Sequence, residues 1–222
     1  MIKRTLKYIW YFICCWPCRF FCLLMFQTRA YNHNKIPRKG GFLLLCNHQS
    51  FLDPMFTAIP VTRQCCFAAR DTLFKTSAFA WLIRSFNAIP IKRDRANLTA
   101  MRLCIDRLKA GYGLILYPEA TRTKDGRIAE IKPGFGLIAK RANVPVIPAV
   151  IDGAFECWPR HKKFFSAGKV FVAYGKSIPP EKIAELGDKQ FAKLLTKILR
   201  EMQTELRLRA GREPFNYQDI KE

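Results

Sequence analysis

Residues 42–54 read FLLLCNHQSFLDP, an apolar run that changes abruptly into polar residues. The run over 42–46 has the length of a strand and is apolar at every position, as a strand buried on both faces of a parallel sheet is. Parallel sheets carry their functional groups beyond the carboxyl ends of the strands. The stretch therefore favours an α/β fold with a functional site that begins at Asn47.

The same alternation continues along the chain. Short apolar runs predict strands at residues 42–46, 64–68, 88–91, 113–117, 146–151 and 169–174. Amphipathic stretches predict helices at residues 54–59, 73–85, 98–110, 134–142 and 180–209, the last with a candidate break at Gly187. This pattern predicts an α/β fold with a mixed, mostly parallel central sheet flanked by helices.

The N-terminal segment differs in character from the rest of the chain. Residues 8–26 form an apolar and aromatic run interrupted only by Pro17 and Arg19, which predicts a membrane segment. Because a proline breaks a helix and a mid-bilayer arginine costs about 2.5–3.5 kcal/mol, we expect two short helices that meet at Pro17 and enter one leaflet. A single crossing is the alternative. Residues 1–30 are thus the anchoring segment and residues 31–222 the α/β domain.

The composition excludes a disordered chain and indicates an anionic partner. Half of the 222 residues are hydrophobic, and 38 Lys and Arg against 17 Asp and Glu give a formal net charge of +21. Such a surface attracts nucleic acid, phospholipid headgroups, an acidic carrier protein or a phosphorylated substrate. The nine cysteines lie mostly in apolar surroundings, which predicts buried thiols in a reducing compartment and no disulfide framework.

The first candidate catalytic pair follows the first predicted strand. His48 can act as a general base near neutral pH, and Asp53 can orient it through the other ring nitrogen. Asp53 followed by Pro54 is also a good helix start, and both interpretations can hold together. No G-x-S-x-G elbow is present, so the nucleophile is expected to belong to the substrate.

Two further strand ends carry charged residues. Lys92 and Arg93 follow the strand at 88–91, where Arg93 could hold a phosphate and Lys92 add a point charge, with a solvated basic edge as the alternative. Glu119 and Arg122 follow the strand at 113–117. They could bind substrate hydroxyls and a phosphate, or form an internal ion pair that shapes the loop.

These blocks, in this order, resemble the phospholipid-synthesis acyltransferase family that includes bacterial 1-acyl-sn-glycerol-3-phosphate acyltransferases. The family motif N-H-x-S-x-x-D matches at Asn47, His48, Ser50 and Asp53. The resemblance, which extends over residues 42–150, implies that His48 is the base and Asp53 its partner. It places Asn47 and Ser50 of the same motif beside the substrate.

The second family motif, G-x-I-P followed by a hydrophobic residue, any residue and arginine, falls on residues 87–93. The resemblance implies that Arg93 binds the phosphate of the acceptor, with Lys92 beside it. Asn87 replaces the usual glycine, a mild departure because asparagine tolerates a left-handed backbone. The fourth motif matches at residues 144–148, an apolar block that the family associates with the acyl or catalytic region.

The third family motif, F-P-E-G-T-R-S, falls on residues 117–123. The resemblance implies that Glu119, Thr121 and Arg122 bind the acceptor. Ala120 replaces the glycine of this motif, and its Cβ would oppose a positive-φ turn or narrow the approach of the acceptor. The departure bears on the identity of the acceptor more than on catalysis.

The resemblance implies transfer of a fatty acyl group from acyl carrier protein or coenzyme A to the sn-2 hydroxyl of 1-acyl-sn-glycerol 3-phosphate, giving phosphatidic acid. No metal and no cofactor besides this thioester co-substrate are implied. The expected partners are the bilayer, a lysophospholipid acceptor and the thioester donor, and the expected location is the cytoplasmic face of the bacterial inner membrane.

Three alternatives stay open on the sequence. The acceptor could be another lyso-lipid, such as a lyso-ornithine lipid, or glycerol 3-phosphate itself. The chain could be a thioesterase that needs no acceptor. It could also be a basic module that binds membrane or nucleic acid without chemistry. Against nucleic acid, the positive charges are spread along the chain and no nucleic-acid-binding motif is present.

Overall fold

The computed structural model of the chain describes residues 2–91 and 98–218, which form a seven-stranded sheet with helices on both faces. The strands are β1 Arg29–Tyr31, β2 Phe42–Cys46, β3 Cys65–Arg70, β4 Ala88–Ile91, β5 Gly113–Leu116, β6 Val146–Asp152 and β7 Phe171–Tyr174. The helices are α1 Ile2–Phe26, α2 Asp53–Ala58, α3 Ser77–Ser85, α4 Leu98–Lys109, α5 Phe135–Ala142, α6 Ala154–Cys157 and α7 Pro180–Arg209.

The strand order is β1-β7-β6-β2-β5-β3-β4, and all neighbouring pairs are parallel except β6 with β7. Strand β2 lies in the middle of the sheet, where Leu44 is paired with Ile115 of β5 and Ile147 of β6. The carboxyl ends of β2, β3 and β5 therefore meet at one edge of the sheet. The predicted fold class, a mixed and mostly parallel sheet flanked by helices, is confirmed.

The alternation of side chains along β2 divides the core into two layers. Leu43 and Leu45 belong to the layer covered by α4, α5 and α7. Leu44 and its neighbours on the other face pack against α1 and α2, through Phe26 and Phe56 among others. Because β2 is covered on both faces, it reads as an unbroken apolar run rather than an alternating one.

Every predicted strand and helix has an observed counterpart, with boundaries that agree within four residues. A 3₁₀ turn, Asp71–Phe74, takes up the start of the predicted helix at 73–85. The break in the last helix is real, since Gly187 has a φ of 69°. Strand β1 and helix α6 were not predicted, and β1 lies across the boundary drawn between residues 1–30 and 31–222.

The N-terminal segment forms one helix, α1, and the expected division into two helices at Pro17 is wrong. A proline removes only one backbone N–H, and α1 is held on the domain on both sides of it. Tyr11 is buried before Pro17, and Phe26 is buried after it. Arg19 points to the domain, where Nε and Nη2 donate to the carbonyl of Ile59 over 3.1 and 2.7 Å.

The stretch Tyr8–Phe26 of α1 is long and apolar enough to cross a membrane, by its length and composition alone. Only 17% of this stretch is buried against the domain. The side turned away from the domain, here called the outer face of α1, is strongly apolar. It includes Ile9, Ile13, Trp16, Phe20, Leu23 and Leu24.

Candidate active site

His48 and Asp53 form a hydrogen-bonded pair at the carboxyl end of β2. Nδ1 of His48 lies 2.6 Å from Oδ2 of Asp53, whose side chain is fully buried. The imidazole is 19% exposed and borders a cavity. When Nδ1 carries the hydrogen donated to Asp53, the lone pair on Nε2 is left to accept a proton. The pair therefore has the arrangement of a general base and the carboxylate that orients it.

The carboxylate of Asp53 is fixed by the turn that precedes it. Oδ2 also accepts the backbone N–H groups of Gln49 and Ser50, over 2.6 and 2.8 Å. Asp53 is the first residue of α2 and does not cap that helix with its side chain, so its carboxylate serves the turn and His48 instead. The spacing from His48 to Asp53 thus closes a compact loop around one carboxylate oxygen.

Tyr117 holds the imidazole from its face, a role that the sequence did not reveal. The two rings are stacked with centroids 4.3 Å apart and planes 22° apart. The Tyr117 hydroxyl lies 2.9 Å from Oγ1 of Thr57, and Thr57 donates to the carbonyl of Asp53 over 2.6 Å. Burial raises the pKa of Tyr117 well above its usual value, so it acts as a neutral phenol. The signal in the sequence that could have indicated this role is an aromatic residue placed directly after β5 and before Pro118.

Glu119 is buried, and it supports His48 through the backbone. Its Oε1 accepts the N–H of His48 over 2.8 Å, and its Oε2 accepts the N–H of Ala129 over 3.2 Å. Burial raises its pKa to about 7, and the charge of Asp53 acts in the same direction. The resemblance implies that Glu119 binds the acceptor. In this geometry both oxygens already serve backbone groups, which gives Glu119 a positioning role.

Asn47 and Ser50 are likewise buried in the scaffold of the turn. The side-chain amide of Asn47 accepts the N–H of Ile151 over 2.7 Å and donates to its carbonyl over 2.9 Å, which ties the end of β2 to β6. Oγ of Ser50 accepts the N–H of Leu52 over 3.3 Å. Neither residue belongs to the described lining of the cavity beside His48. Their contacts position His48 and Asp53, here called the dyad, and the loop at residues 47–53 that carries them, here called the dyad loop.

The remaining candidates for substrate binding are distributed unevenly. Thr121 is exposed, and its Oγ1 accepts a bond of 3.5 Å from Nη1 of Arg160. The guanidinium of Arg122 lies 3.4 Å from the ring centroid of Phe51, a cation–π contact beside the dyad loop. Lys92 and Arg93 lie outside the described residues.

A cavity of about 320 Å³ opens beside His48. Its walls are mostly apolar and come from β3, β5, α4 and α5; they include Ala68, Ala69, Met101, Cys104, Leu116, Phe135 and Ile138. Arg70 adds an exposed cation at the carboxyl end of β3. Arg70 was not among the predicted site residues, because the predicted strand ended at residue 68. A cavity with apolar walls and a cation suits a molecule with a hydrocarbon chain and an anionic group.

Ala120 also lines the cavity, and its backbone is left-handed with a φ of 57°. The turn therefore forms despite the Cβ that replaces the motif glycine. Asn87, the other departure from the family pattern, has a φ of 59°. Both substitutions thus keep the backbone that a glycine would adopt, and Ala120 adds a methyl group to the cavity wall.

The profile of the Acyltransferase family matches residues 27–152, more than half of the chain. The 1-acyl-sn-glycerol-3-phosphate acyltransferase of Bacillus subtilis is 24% identical over 180 residues, which cover 81% of this chain and 87% of the relative. That of Streptococcus pneumoniae is 28% identical over 80% of this chain and 65% of the relative. A chloroplastic enzyme of the same name from Arabidopsis thaliana is 30% identical over 60% of this chain. The chain spans only 33–38% of the length of such chloroplastic relatives.

The crystal structure of the 1-acyl-sn-glycerophosphate acyltransferase PlsC from Thermotoga maritima has a similar fold. The TM-score is 0.80 at 27% sequence identity, and the match covers 93% of this chain and 83% of that one. The region that the family profile matches contains the dyad, Tyr117 and Glu119. The chain therefore belongs to the Acyltransferase family.

Proposed function

We propose that the protein is a 1-acyl-sn-glycerol-3-phosphate O-acyltransferase. It transfers a fatty acyl group from an acyl carrier protein or coenzyme A thioester to the sn-2 hydroxyl of 1-acyl-sn-glycerol 3-phosphate, giving phosphatidic acid. The observation that carries the proposal is the His48–Asp53 pair at the edge of an apolar cavity. The names of the bacterial relatives support the choice of acceptor.

The chemistry needs one base and a bound hydroxyl. Nε2 of His48 removes the proton of the sn-2 hydroxyl while its oxygen attacks the thioester carbonyl. The C–S bond then breaks, and the thiolate takes the proton from the imidazolium. Asp53 fixes the tautomer of His48 and stabilises the imidazolium between these steps. No nucleophilic side chain takes part, because the acceptor hydroxyl is the nucleophile.

The cavity and its cations hold the acceptor. Apolar walls accept a hydrocarbon chain, and the guanidinium groups of Arg70 and Arg122 attract the phosphate. Lys92 and Arg93 are proposed to contribute to the same phosphate, on the family motif alone. Thr121 is proposed to bind near it from the exposed side of the loop. Fixing both ends of the acceptor converts binding energy into alignment of its hydroxyl with the thioester.

Membrane attachment follows from the apolar helix. Because Tyr11, Phe26 and Arg19 hold α1 along the domain, its outer face is the part left to contact lipid. This arrangement supports an anchor that lies in one leaflet on the cytoplasmic face of the bacterial inner membrane. The acceptor and the product reside in that leaflet, and the thioester donor reaches the site from the cytoplasm.

A thiol-release assay tests the proposal. Purified wild type is given acyl carrier protein or coenzyme A thioesters, with and without 1-acyl-sn-glycerol 3-phosphate, and the lipids are identified by mass spectrometry. We expect thiol release that depends on the acceptor and yields phosphatidic acid. His48→Ala should lower turnover by about 10²–10⁴-fold, the usual contribution of a general base. His33→Ala, at an exposed histidine, is the matched control and should keep full turnover.

Each other outcome identifies a different function. Thiol release without acceptor would indicate a thioesterase. Turnover only with another lyso-lipid would contradict the proposed acceptor and direct attention to the loop of Ala120. Near-wild-type turnover of His48→Ala would overturn the mechanism. The absence of thiol release with every acceptor would favour a binding module.

A further inference from the structure

Residues 158–165, WPRHKKFF, form a loop after α6 that is exposed from Arg160 onward and is here called the basic aromatic loop. The segment Arg160 to Lys163 has three cationic residues and a histidine in a row, all of them exposed. Phe164 follows with 74% of its surface exposed, the largest exposed fraction among the large hydrophobic residues described. Such a combination of cations and an exposed aromatic ring is unusual for a surface that meets only water.

The basic aromatic loop has a fixed shape. The N–H of Lys162 donates to the carbonyl of Pro159 over 3.2 Å, and Nε1 of Trp158 donates to the carbonyl of Lys162 over 3.1 Å. The N–H of Ser166 closes the loop on the carbonyl of Cys157 over 2.8 Å. Because these bonds satisfy the backbone locally, the cationic side chains are displayed on a defined turn.

The loop lies between the anchor helix and the candidate active site. On one side, the ring of Phe165 contacts Phe21 and Phe26 of α1, with centroids 5.6 and 5.8 Å apart. On the other side, Trp158 contacts Phe51 at 5.1 Å, the ring over which Arg122 is placed. An unbroken series of aromatic contacts therefore connects the carboxyl end of α1 with the dyad loop.

We propose that the basic aromatic loop is a second membrane-contacting element that binds the headgroups of anionic phospholipids. This rests on the proposed anchoring of α1, whose outer face continues through Phe20 and Leu24 beside Phe21. Lys162 and Lys163 attract anionic headgroups, and the exposed ring of Phe164 suits the interface between headgroups and acyl chains. The contact with α1 favours a lipid surface over an acidic carrier protein, because it places the loop at the level of an apolar anchor.

The proposal also gives the acceptor a route to the site. Anionic lipid held by the loop lies next to Arg160, whose guanidinium reaches Thr121, and next to the stacked Arg122. Arg122 in turn covers Phe51, a residue of the loop that joins His48 to Asp53.

Hydrogen exchange of the full chain bound to vesicles tests the loop. Vesicles of phosphatidylcholine alone are compared with vesicles that contain about 30% phosphatidylglycerol. We expect the amides of α1 to be protected on both, and those of residues 158–166 to exchange about tenfold more slowly only on the anionic vesicles. Raising NaCl to about 0.5 M should remove this slowing, because salt screens exposed charges.

Two variants of the loop and one control distinguish lipid binding by the loop from a general effect of the positive charge of the protein. Lys162→Ala with Lys163→Ala should abolish the anionic-lipid-dependent slowing, and Phe164→Ser should reduce it. The control removes the same charge from exposed lysines of α7, Lys193→Ala with Lys197→Ala, and should leave the slowing unchanged.

Three results would overturn the proposal. The first is loop exchange that does not differ between the two vesicles, and the second is an equal loss in the α7 control. The third is slowing by soluble acyl carrier protein without lipid, which would assign the loop to the donor. Thiol release with detergent-dispersed acceptor is measured in parallel, so that loss of the proposed activity is distinguished from loss of lipid contact.

Discussion

Glu119 illustrates how a motif residue can support the backbone of the site. Its two carboxylate oxygens accept the N–H groups of His48 and Ala129, and it is buried next to the charged Asp53. Folding therefore raises its pKa from 4.5 to about 7. The folded protein binds this proton more tightly than the unfolded chain does, so ionisation of Glu119 lowers stability as the pH rises from about 4.5 to about 7.

The variant Glu119→Gln tests this linkage. Glutamine cannot ionise, so the unfolding free energy of the wild type should fall relative to that of the variant by about 3 kcal/mol between about pH 5 and pH 8. The variant also lacks one acceptor for a backbone N–H, which costs about 1–3 kcal/mol at every pH. Urea denaturation in detergent across this range measures the difference. Parallel curves for the two proteins would contradict the raised pKa.

Ala120 carries backbone strain at the cavity wall. A left-handed backbone costs an alanine about 1–2 kcal/mol, whereas glycine adopts it freely. Ala120→Gly should therefore stabilise the protein by about 0.5–1 kcal/mol after the greater freedom of glycine in the unfolded chain is included. Thermal unfolding measures the change.

Asn143→Gly is the matched control for this prediction. Asn143 has a φ of 53° at the end of α5, away from the cavity lining, and asparagine tolerates that backbone. Its replacement should change stability by only a few tenths of a kcal/mol in either direction. A loss of stability in Ala120→Gly would show that the methyl group of Ala120 contributes packing that outweighs the strain.

Helix α1 is attached to the site through α2, the helix that begins with Asp53. The guanidinium of Arg19 donates two bonds to the carbonyl of Ile59, the residue that caps the carboxyl end of α2. A cation at this end is favoured by the helix dipole as well as by the hydrogen bonds. The arginine that seemed costly inside a bilayer thus faces the domain.

Arg19→Ala should destabilise the docked helix by about 1.5–3 kcal/mol, the range for hydrogen bonds to a charged group. Proteolysis of the detergent-solubilised chain near Arg29 should become faster, because α1 would leave α2 more often. Arg38→Ala, at an exposed arginine, is the control and should change neither quantity. Equal cleavage of both variants would show that the apolar contacts of α1 hold it without Arg19.

The elements that could be predicted from the sequence are those in which the pattern of apolar residues along a short stretch reflects which side chains are buried. Strand β2 is apolar throughout because both faces are covered, and the amphipathic helices carry their own periodicity. Strand β1 has only three residues and exists because β7 pairs with it, and α6 has only four. The docking of α1 on the domain includes a hydrogen bond from Arg19 to a residue that lies forty positions away.

The residues of the candidate site likewise divide into those that a local pattern predicted and those that it did not. The spacing of His48 and Asp53 predicted that they would act together, because both belong to one short loop. Asn47 binds the backbone of Ile151, 104 residues away, and Glu119 binds that of His48, 71 residues away, and no local sequence pattern predicts such contacts. Arg70 and Tyr117 reach the site because neighbouring parallel strands end at one edge, a consequence of strand order rather than of spacing.

At the scale of the whole molecule, a buried carboxylate at the end of β6 connects the sheet with the C-terminal part of the chain. Asp152 is fully buried, and its two oxygens bind Arg207 at the end of α7 and Arg212 in the following segment, over 2.8 and 2.6 Å. The carboxylate therefore joins the central sheet to the last helix and to the residues beyond it. Removing one partner of a buried ion pair leaves uncompensated charge behind.

Asp152→Ala should lower the unfolding free energy by about 3–5 kcal/mol, because two arginines lose their buried carboxylate and keep only the more distant, exposed Glu156. Asp125→Ala is the control, since Asp125 pairs with Arg127 at the surface, where such pairs contribute less than about 1 kcal/mol. Urea denaturation of both variants gives the comparison. Similar losses in the two variants would show that the buried carboxylate of Asp152 contributes no more to stability than the exposed carboxylate of Asp125.

The edge of the sheet also sets an order of events during synthesis. Arg29, in the strand that follows α1, is paired with Phe171, and Arg19 donates to Ile59, so α1 leaves the ribosome before these partners do. Domains fold as their residues emerge, and a sheet that requires distant strands is completed late. On the proposed anchoring of α1, the apolar helix meets the membrane first, and the domain then assembles against a segment that is already bound to lipid.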